Sequence, residues 1–266
     1  ELIAGAFLLG LSILSVFLLN SKIKKPIQYL LLLFFFITCV LTGERSNTIK
    51  FLLIFVISHF VIFEISLDKI KKNILILLLI IGMISPVLYF QSDKLKSRYF
   101  SPISFSQHEK GADSQSLFEQ YFTSAYGAHS ISSFLIFKEN FLFGIGNKSF
   151  RFECNSVSED VKKFQQKIYP SISYFPTSCS THPHQLYNEL LSEHGIFGTL
   201  LLISLIFFII IRRIKQKNLS GLNYAGLLYI LMVFIPILPS GSFFTTFNSA
   251  IFWVNFLFFL NNTSKV

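Results

Sequence analysis

Long apolar blocks dominate the pattern of hydrophobic and polar positions along this chain. Short polar connections and one long polar region separate the blocks. A transmembrane helix needs roughly 20 predominantly apolar residues, and each block is near that length. The pattern therefore predicts seven membrane spans, at residues 2–20, 27–42, 49–67, 74–91, 190–211, 222–239 and 243–260.

The connections between these blocks differ in charge. Those rich in lysine and arginine alternate along the chain with those that are not. Because cytoplasmic loops of membrane proteins carry an excess of lysine and arginine, we expect the basic connections in the cytoplasm and the others outside. The basic connections are residues 21–26, 67–73 and 212–219, and the others are 43–47, 92–186 and 239–243.

The predicted fold class is all-α, a polytopic membrane protein of about seven transmembrane helices with one long periplasmic loop. Four transmembrane helices are expected over residues 1–91, the loop over 92–186 and three more helices over 187–266. Within the loop, residues 107–116 predict an exposed segment. Apolar groups at helical spacing over 117–139 predict one or two amphipathic helices on the membrane surface.

Composition agrees with this class. Hydrophobic residues make up 52% of the chain and charged residues 14%, and the mean hydropathy is +0.57, values typical of membrane proteins. A net charge of +9 raises the question of a nucleic-acid partner. The basic residues instead gather in short runs between apolar blocks, so we expect none. The chain starts at Glu1 and enters an apolar block at once, so we expect that part of the protein precedes it.

The stretch THPHQLYNELLSEHGIFG, residues 181–198, places imidazoles and carboxylates directly before an apolar span. Pro183 suits the first turn of a helix. A helix from there to Ile211 would be about 44 Å long at about 1.5 Å per residue, longer than the ~30 Å hydrocarbon core. Its first turns are therefore predicted at the outer headgroups, with glycines that let a neighbouring helix approach closely. The residues predicted to share one helix face are His184, Asn188, Leu191, Gly195 and Gly198.

Arg45 lies in the segment TGERSNTIKF, in a predicted outer connection. An arginine on the outer side runs against the charge trend of the other connections, which indicates a binding partner. A guanidinium group suits a phosphate or a carboxylate. The alternative is a salt bridge with Glu44 or with an acid of the long polar region.

Cys179, His182 and His184 form a C-x2-H-x-H pattern, a spacing that can bind zinc. No second ligand cluster is evident in the sequence and Pro183 restricts both histidines, so we expect no metal. The histidines are alternatively ordinary interfacial polar residues. Cys154 and Cys179 either form an extracytoplasmic disulfide or stay free thiols, and the sequence leaves both open.

The stretch HQLYNELLSEHGIFG resembles the signature of the O-antigen ligase and polymerase superfamily, which are bacterial envelope glycosyltransferases. That signature is a histidine, then asparagine, serine or glutamine, nine residues, and Gly-x-x-Gly. Here His184 and Gln185 are followed at that spacing by Gly195 and Gly198. TGERSNTIKF is similar to the family segment with an essential arginine, FKENFLFGIGNKSFR to its Gly-x-Gly stretch and PSGSFF to its last outer loop. The resemblance covers roughly residues 30–260.

One position departs from the family pattern. Many ligases carry a second functional arginine early in the amphipathic helix of the loop, where this chain has His129; Arg151 is a further candidate. The resemblance implies catalytic roles for Arg45, at the pyrophosphate, and for His184, as either the base for the acceptor hydroxyl or a contact to the leaving group. It implies substrate-binding roles for His129, Arg151, Gln185 and Asn188.

The resemblance also implies an activity. The chain would be a metal-independent enzyme without a cofactor, at the outer face of the bacterial inner membrane. It would transfer a glycan from undecaprenyl pyrophosphate to an acceptor hydroxyl, with the lipid A core as the favoured acceptor. An O-antigen polymerase and a protein O-oligosaccharyltransferase are alternatives. A transporter of lipid-linked glycan is a further one, but it should carry polar groups through the depth of several spans, and here they cluster at the outer ends.

Overall fold

The structure is a computed structural model, and it describes most of the chain. The described residues are 5–6, 8–11, 24–63, 82, 93, 99, 116–170, 172, 175–236 and 238–261. The predicted spans 2–20 and 74–91 and the predicted exposed segment 107–116 lie largely outside these residues.

Every regular element in the described part of the chain is a helix, which confirms the all-α class. The helices are α1 (Lys25–Leu41), α2 (Arg45–Phe63), α3 (Leu117–Phe122), α4 (Ala125–Glu139), α5 (Phe150–Glu153), α6 (Ser158–Ile168), α7 (Leu186–Lys215), α8 (Gly221–Val233) and α9 (Thr246–Leu260).

Helices α1, α2, α7, α8 and α9 coincide with five of the predicted spans. Among the described residues, α7 alone is both long and apolar enough to cross a membrane, whereas Leu30–Leu41, α8 and α9 are shorter apolar helices. Helix α8 ends at Val233, well before the predicted end of its span at residue 239. Pro236 explains the early end, because proline disfavours helical geometry in the residue before it. The count of seven spans stays a prediction.

The described residues divide into two compact units. The first takes in Glu1–Pro102, Gln216–Val233 and Ala250–Val266, and the second takes in Ile103–Lys215 and Phe234–Ser249. In the first unit, α1 packs on α2 and α2 on α8. The Asn223 side-chain amide donates to the carbonyls of Phe258 and Phe259, at 2.9 Å each, and so satisfies carbonyl groups that the end of α9 leaves without an intrahelical partner.

In the second unit, α4 packs against α3, α6 and α7. The core includes Ile131 and Ile136 of α4 with Phe150, Val157 and Val161. Beside this core a disulfide joins Cys154 to Cys179, whose Cα atoms lie 5.1 Å apart. The structure thereby decides between the disulfide and the free thiols that the sequence left open.

The predicted helical stretch 117–139 consists of two helices, α3 and α4. Ser116 begins α3 with a capping box, in which its hydroxyl accepts from the Glu119 N–H while the Glu119 carboxylate accepts from the Ser116 N–H. That these helices lie on the membrane surface stays a prediction. In α4, Phe134 is 60% exposed whereas His129, Ser132 and Ser133 are buried. Their burial brings polar groups of α4 against α7.

Candidate functional site

Three histidine rings of the second unit lie together. The His184 ring centroid is 4.2 Å from that of His182 and 5.1 Å from that of His129, on which it stacks with an interplanar angle of 28°. Tyr126 meets the His184 ring edge-to-face at 5.8 Å. The Ser180 hydroxyl lies 3.0 Å from Nε2 of His184. The structure thus brings His129 to His184 and adds His182, which the sequence offered only as part of the zinc pattern or as an ordinary interfacial residue.

The backbone holds His184 in an uncommon conformation. Its φ is +57°, in the left-handed region that few residues other than glycine occupy. The Ser240 N–H donates to its carbonyl oxygen at 2.8 Å. We predicted that a helix begins at Pro183 and carries His184 on one face with Asn188, but the structure shows that α7 begins at Leu186. His184 therefore precedes the helix.

Burial keeps these imidazoles neutral at neutral pH. Burial, with a smaller contribution from the nearby His184, lowers the pKa of His129 to about 4 and that of His182 to about 4. Burial also lowers the pKa of His184. The expected cationic contact at His129 is therefore an uncharged ring in the protein without ligand. A bound anion would raise its pKa, because an opposite charge favours the protonated form.

Gln185 and Asn188 have structural partners in the first turn of α7. The Gln185 side-chain oxygen accepts from the Asn188 N–H at 2.8 Å, which caps a donor at the helix N-terminus. The Asn188 amide donates to the Ser130 hydroxyl at 3.0 Å, and that hydroxyl lies 2.9 Å from the Tyr121 hydroxyl. These contacts fasten α7 to α3 and α4 beside the histidines.

A small cleft opens onto His184. Aromatic rings and hydroxyl groups form much of its wall. The residues that line it are Tyr121, Tyr126, Ser130, Pro183, His184, Gln185 and Pro239.

The first glycine of the motif lies at a break in α7. Gly195 has φ 62° and ψ −170° inside the helix. A Cβ atom there would lie 2.5 Å from the Phe143 nitrogen, and one at Gly144, which has φ +68°, would lie 2.5 Å from the His194 nitrogen. The predicted close approach at Gly195 is therefore real, but the neighbour is a loop and not a helix. The break also ends the single helix face that was predicted from His184 to Gly198.

The loop 141–146 completes the hydrogen bonding of the broken helix. Ile145 and Gly146 donate their N–H groups to the carbonyls of Ser192 and Glu193, which precede the break. Ile196 and Phe197, which follow it, donate to loop carbonyls. The N···O distances are 3.1 Å for Ile145 to Ser192, 2.8 Å for Gly146 to Glu193, 2.9 Å for Ile196 to Phe141 and 3.2 Å for Phe197 to Leu142.

Two buried carboxylates of α7 accept hydrogen bonds from loop residues. Glu193 accepts from the Lys148 N–H at 2.7 Å and from the Phe150 N–H at 3.2 Å. Glu189 accepts from the Ser242 hydroxyl and, at 2.8 Å, from the Phe243 N–H. Sequence reasoning missed both roles; the signal it overlooked is an acid repeated four residues apart just before an apolar span.

The candidate cations lie in different units. Arg151, in α5 of the second unit, is exposed; burial and the neighbouring histidines lower the pKa of His182, and the charge of Arg151 adds to the effect. Arg45 belongs to the first unit. It is the first residue of α2 rather than part of a loop. Burial raises the pKa of the Tyr99 hydroxyl, and the charge of Arg45 acts to lower it.

The zinc pattern loses one of its three possible ligands. Cys179 is bonded to Cys154, so its sulfur is not available as a thiolate. Within the described residues, no group of three or more histidine, cysteine or acidic side chains is arranged to hold a metal ion.

The helical fold, the long apolar helix and the buried imidazole cluster at its polar end define a helical membrane protein with a candidate active site at one end of a span. The chain belongs to the O-antigen ligase family, whose family model matches residues 30–203. It is thus a membrane glycosyltransferase of the O-antigen ligase or polymerase type. Comparison with curated proteins and with solved structures found no significant match.

Proposed function

We propose that the protein transfers a glycan from undecaprenyl pyrophosphate to an acceptor hydroxyl at the periplasmic face of the inner membrane, with the lipid A core as acceptor. The observation that carries this proposal is the buried cluster around His184, which lies inside the part of the chain that matches the ligase family. The Cys154–Cys179 disulfide supports the periplasmic side, because disulfides persist in oxidising compartments.

In this reaction the acceptor oxygen attacks the anomeric carbon of the glycan and the bond to the pyrophosphate breaks. A neutral imidazole can accept the hydroxyl proton, and burial keeps His184 in that form. The cleft of Tyr126 and Ser130 receives the acceptor hydroxyl. The undecaprenyl pyrophosphate leaves as an anion, and fixed cations stabilise such a charge.

We assign that cationic role to Arg45, on the strength of the family resemblance, with Arg151 assisting. Binding of the pyrophosphate near the histidines would protonate His129 and so supply a further positive charge. Gln185 and Asn188 act by holding the first turn of α7 beside the cleft. None of these steps requires a metal ion or an organic cofactor.

The test is complementation in cells that lack their own ligase. The full-length protein should restore capped lipopolysaccharide, and His184→Ala and Arg45→Ala should each abolish capping while the protein stays in the membrane. His194→Ala is the matched control, because that ring packs on Phe244 at 4.7 Å. Normal capping by both site variants would refute the assignment. Extension of lipid-linked glycan without capping would identify a polymerase instead.

A further inference from the structure

Glu189 lies on the first turn of α7 and is 2% exposed. Both of its carboxylate oxygens are engaged by the segment that joins α8 to α9, one by the Ser242 hydroxyl and the other by the Phe243 N–H. A buried carboxylate is stable only when hydrogen bonds replace its lost hydration. Glu189 therefore fixes the position of Ser242 and Phe243 against α7.

The same segment reaches His184. Ser240, two residues before Ser242, donates its N–H to the His184 carbonyl at 2.8 Å. That hydrogen bond holds the residue that has the positive φ of +57°. Left-handed backbone in a residue other than glycine persists only where its surroundings impose it.

The segment is also fixed from its far side. The Asn248 amide donates to the Ser242 carbonyl at 2.8 Å, and the Ser249 hydroxyl donates to the Phe243 carbonyl at 2.9 Å. Residues 240–243 are therefore held between the first turn of α9 and the Glu189 carboxylate. Loss of the carboxylate removes the hydrogen bonds that hold this segment on the side of α7.

We propose that Glu189 is a positioning residue for His184: through Ser242, Phe243 and Ser240 it sets the backbone conformation that aims the imidazole into the cleft. The proposal rests on the function assigned above to His184. Glu193 is its natural comparison, because it is an equally buried acid one turn further along α7 and its hydrogen bonds run to Lys148 and Phe150.

The activity test uses the purified full-length protein with lipid-linked glycan donor and lipid A core acceptor. Glu189→Gln keeps the size of the side chain but leaves a single acceptor oxygen. We expect turnover to fall about tenfold with little change in donor KM, because a displaced catalytic group lowers kcat. Ser242→Ala, which removes one of the two donors, should lower turnover in the same direction by about threefold.

The double variant with His184→Ala separates positioning from general structural damage. If Glu189 acts through His184, Glu189→Gln should cause no further loss of the residual turnover of His184→Ala. Any loss that Glu193→Gln causes should instead multiply with that of His184→Ala. A multiplicative loss for Glu189→Gln would overturn the proposal.

A second measurement does not depend on glycan transfer. Diethylpyrocarbonate modification of His184 is followed by peptide mass spectrometry, and its rate is expressed relative to that in the unmutated protein. Glu189→Gln should raise the relative modification rate of His184 at least about threefold, because the ring loses its fixed place, whereas Glu193→Gln should not. An unchanged rate would overturn the positioning role, and failure of the unmutated protein to transfer glycan would count against the proposed function alone.

Discussion

The two parts of α7 on either side of Gly195 differ in which side chains they bury and which they expose. Before the break, polar side chains are inside: Glu189, Ser192 and Glu193 are buried and bonded to loops or to the helix backbone. After the break, many large apolar side chains are outside, and Leu201 is 71% exposed, whereas Ile206 and Ile210 are buried. The further exposed apolar residues of this part include Phe197, Leu200, Leu205 and Phe208.

This difference shows that one helix serves two environments. Exposed apolar side chains are stable against lipid, where every backbone polar group must be satisfied within the helix. Buried carboxylates are stable where loops supply donors. Gly195 separates the two parts, and the loop 141–146 supplies hydrogen bonds to both sides of the break.

The largest effect is expected at the break itself. Gly195→Ala places a Cβ atom against the backbone of Leu142 and Phe143 at positive φ, and should lower the free energy of unfolding by about 4 kcal/mol. Thermal melting of the purified protein in detergent measures the loss. Gly198→Ala is the comparison and should cost less, since its Cβ would meet the His194 side chain, whose Cβ lies 2.8 Å away, rather than the backbone of a loop. Equal melting temperatures for the two variants would show that the break is not needed.

The second-largest effect is expected from loss of the disulfide, which closes a loop in the second unit. Cys154→Ser opens a loop that spans a sequence separation of 25 residues and should cost about 3 kcal/mol of stability. The measurement is the melting temperature with and without a reductant. Reductant should lower the melting temperature of the unmutated protein and leave that of the variant unchanged. A variant that responds to reductant like the unmutated protein would contradict the pairing.

A charge after the break tests the lipid-facing part. Leu201→Asp should weaken membrane insertion of α7 by about 2 kcal/mol, because a carboxylate is costly against hydrocarbon. The fraction of protein recovered in membranes after alkaline extraction measures this. Gln166→Asp, at an exposed position of α6, is the control and should leave the fraction unchanged. Full membrane recovery of Leu201→Asp would argue that this face does not contact lipid.

The smallest effect is a pH dependence of the polar part. The pKa values of His129 and His182, each about 4 in the folded protein, lie below the ordinary value of about 6.5. The unfolded chain therefore binds more protons between pH 6.5 and pH 4, so stability should fall as the pH drops through this window. We expect a loss of about 1 kcal/mol per histidine after allowance for partial solvent screening.

Melting curves at pH 7 and pH 4.5 measure this loss. His129→Gln removes one of the titrating rings of the cluster and should make the melting temperature less dependent on pH. If His129→Gln kept the full pH dependence, the cluster would not be its source.

Several features of the candidate site follow from the sequence. The spacing of His184, Gln185 and the two glycines is a local pattern, and it indicated the ligase family that the family model confirms. His129 was named from the place where the family pattern has a second arginine, within a stretch whose helical spacing predicted a loop helix. The conformation of His184 was not, because a hydrogen bond from Ser240, distant in sequence, holds its positive φ.

The sequence by itself determined the helical class, the apolar stretches and the motif, because hydrophobic periodicity and residue spacing are local properties. The tertiary structure alone decided that α7 is broken at Gly195, that Cys154 pairs with Cys179, and that Glu189 and Glu193 are buried as loop acceptors. Each of these depends on groups far apart in the chain that only folding brings within hydrogen-bond or bonding distance. A glycine pattern predicts that some neighbour approaches closely, and only the folded chain shows that the neighbour is the loop 141–146.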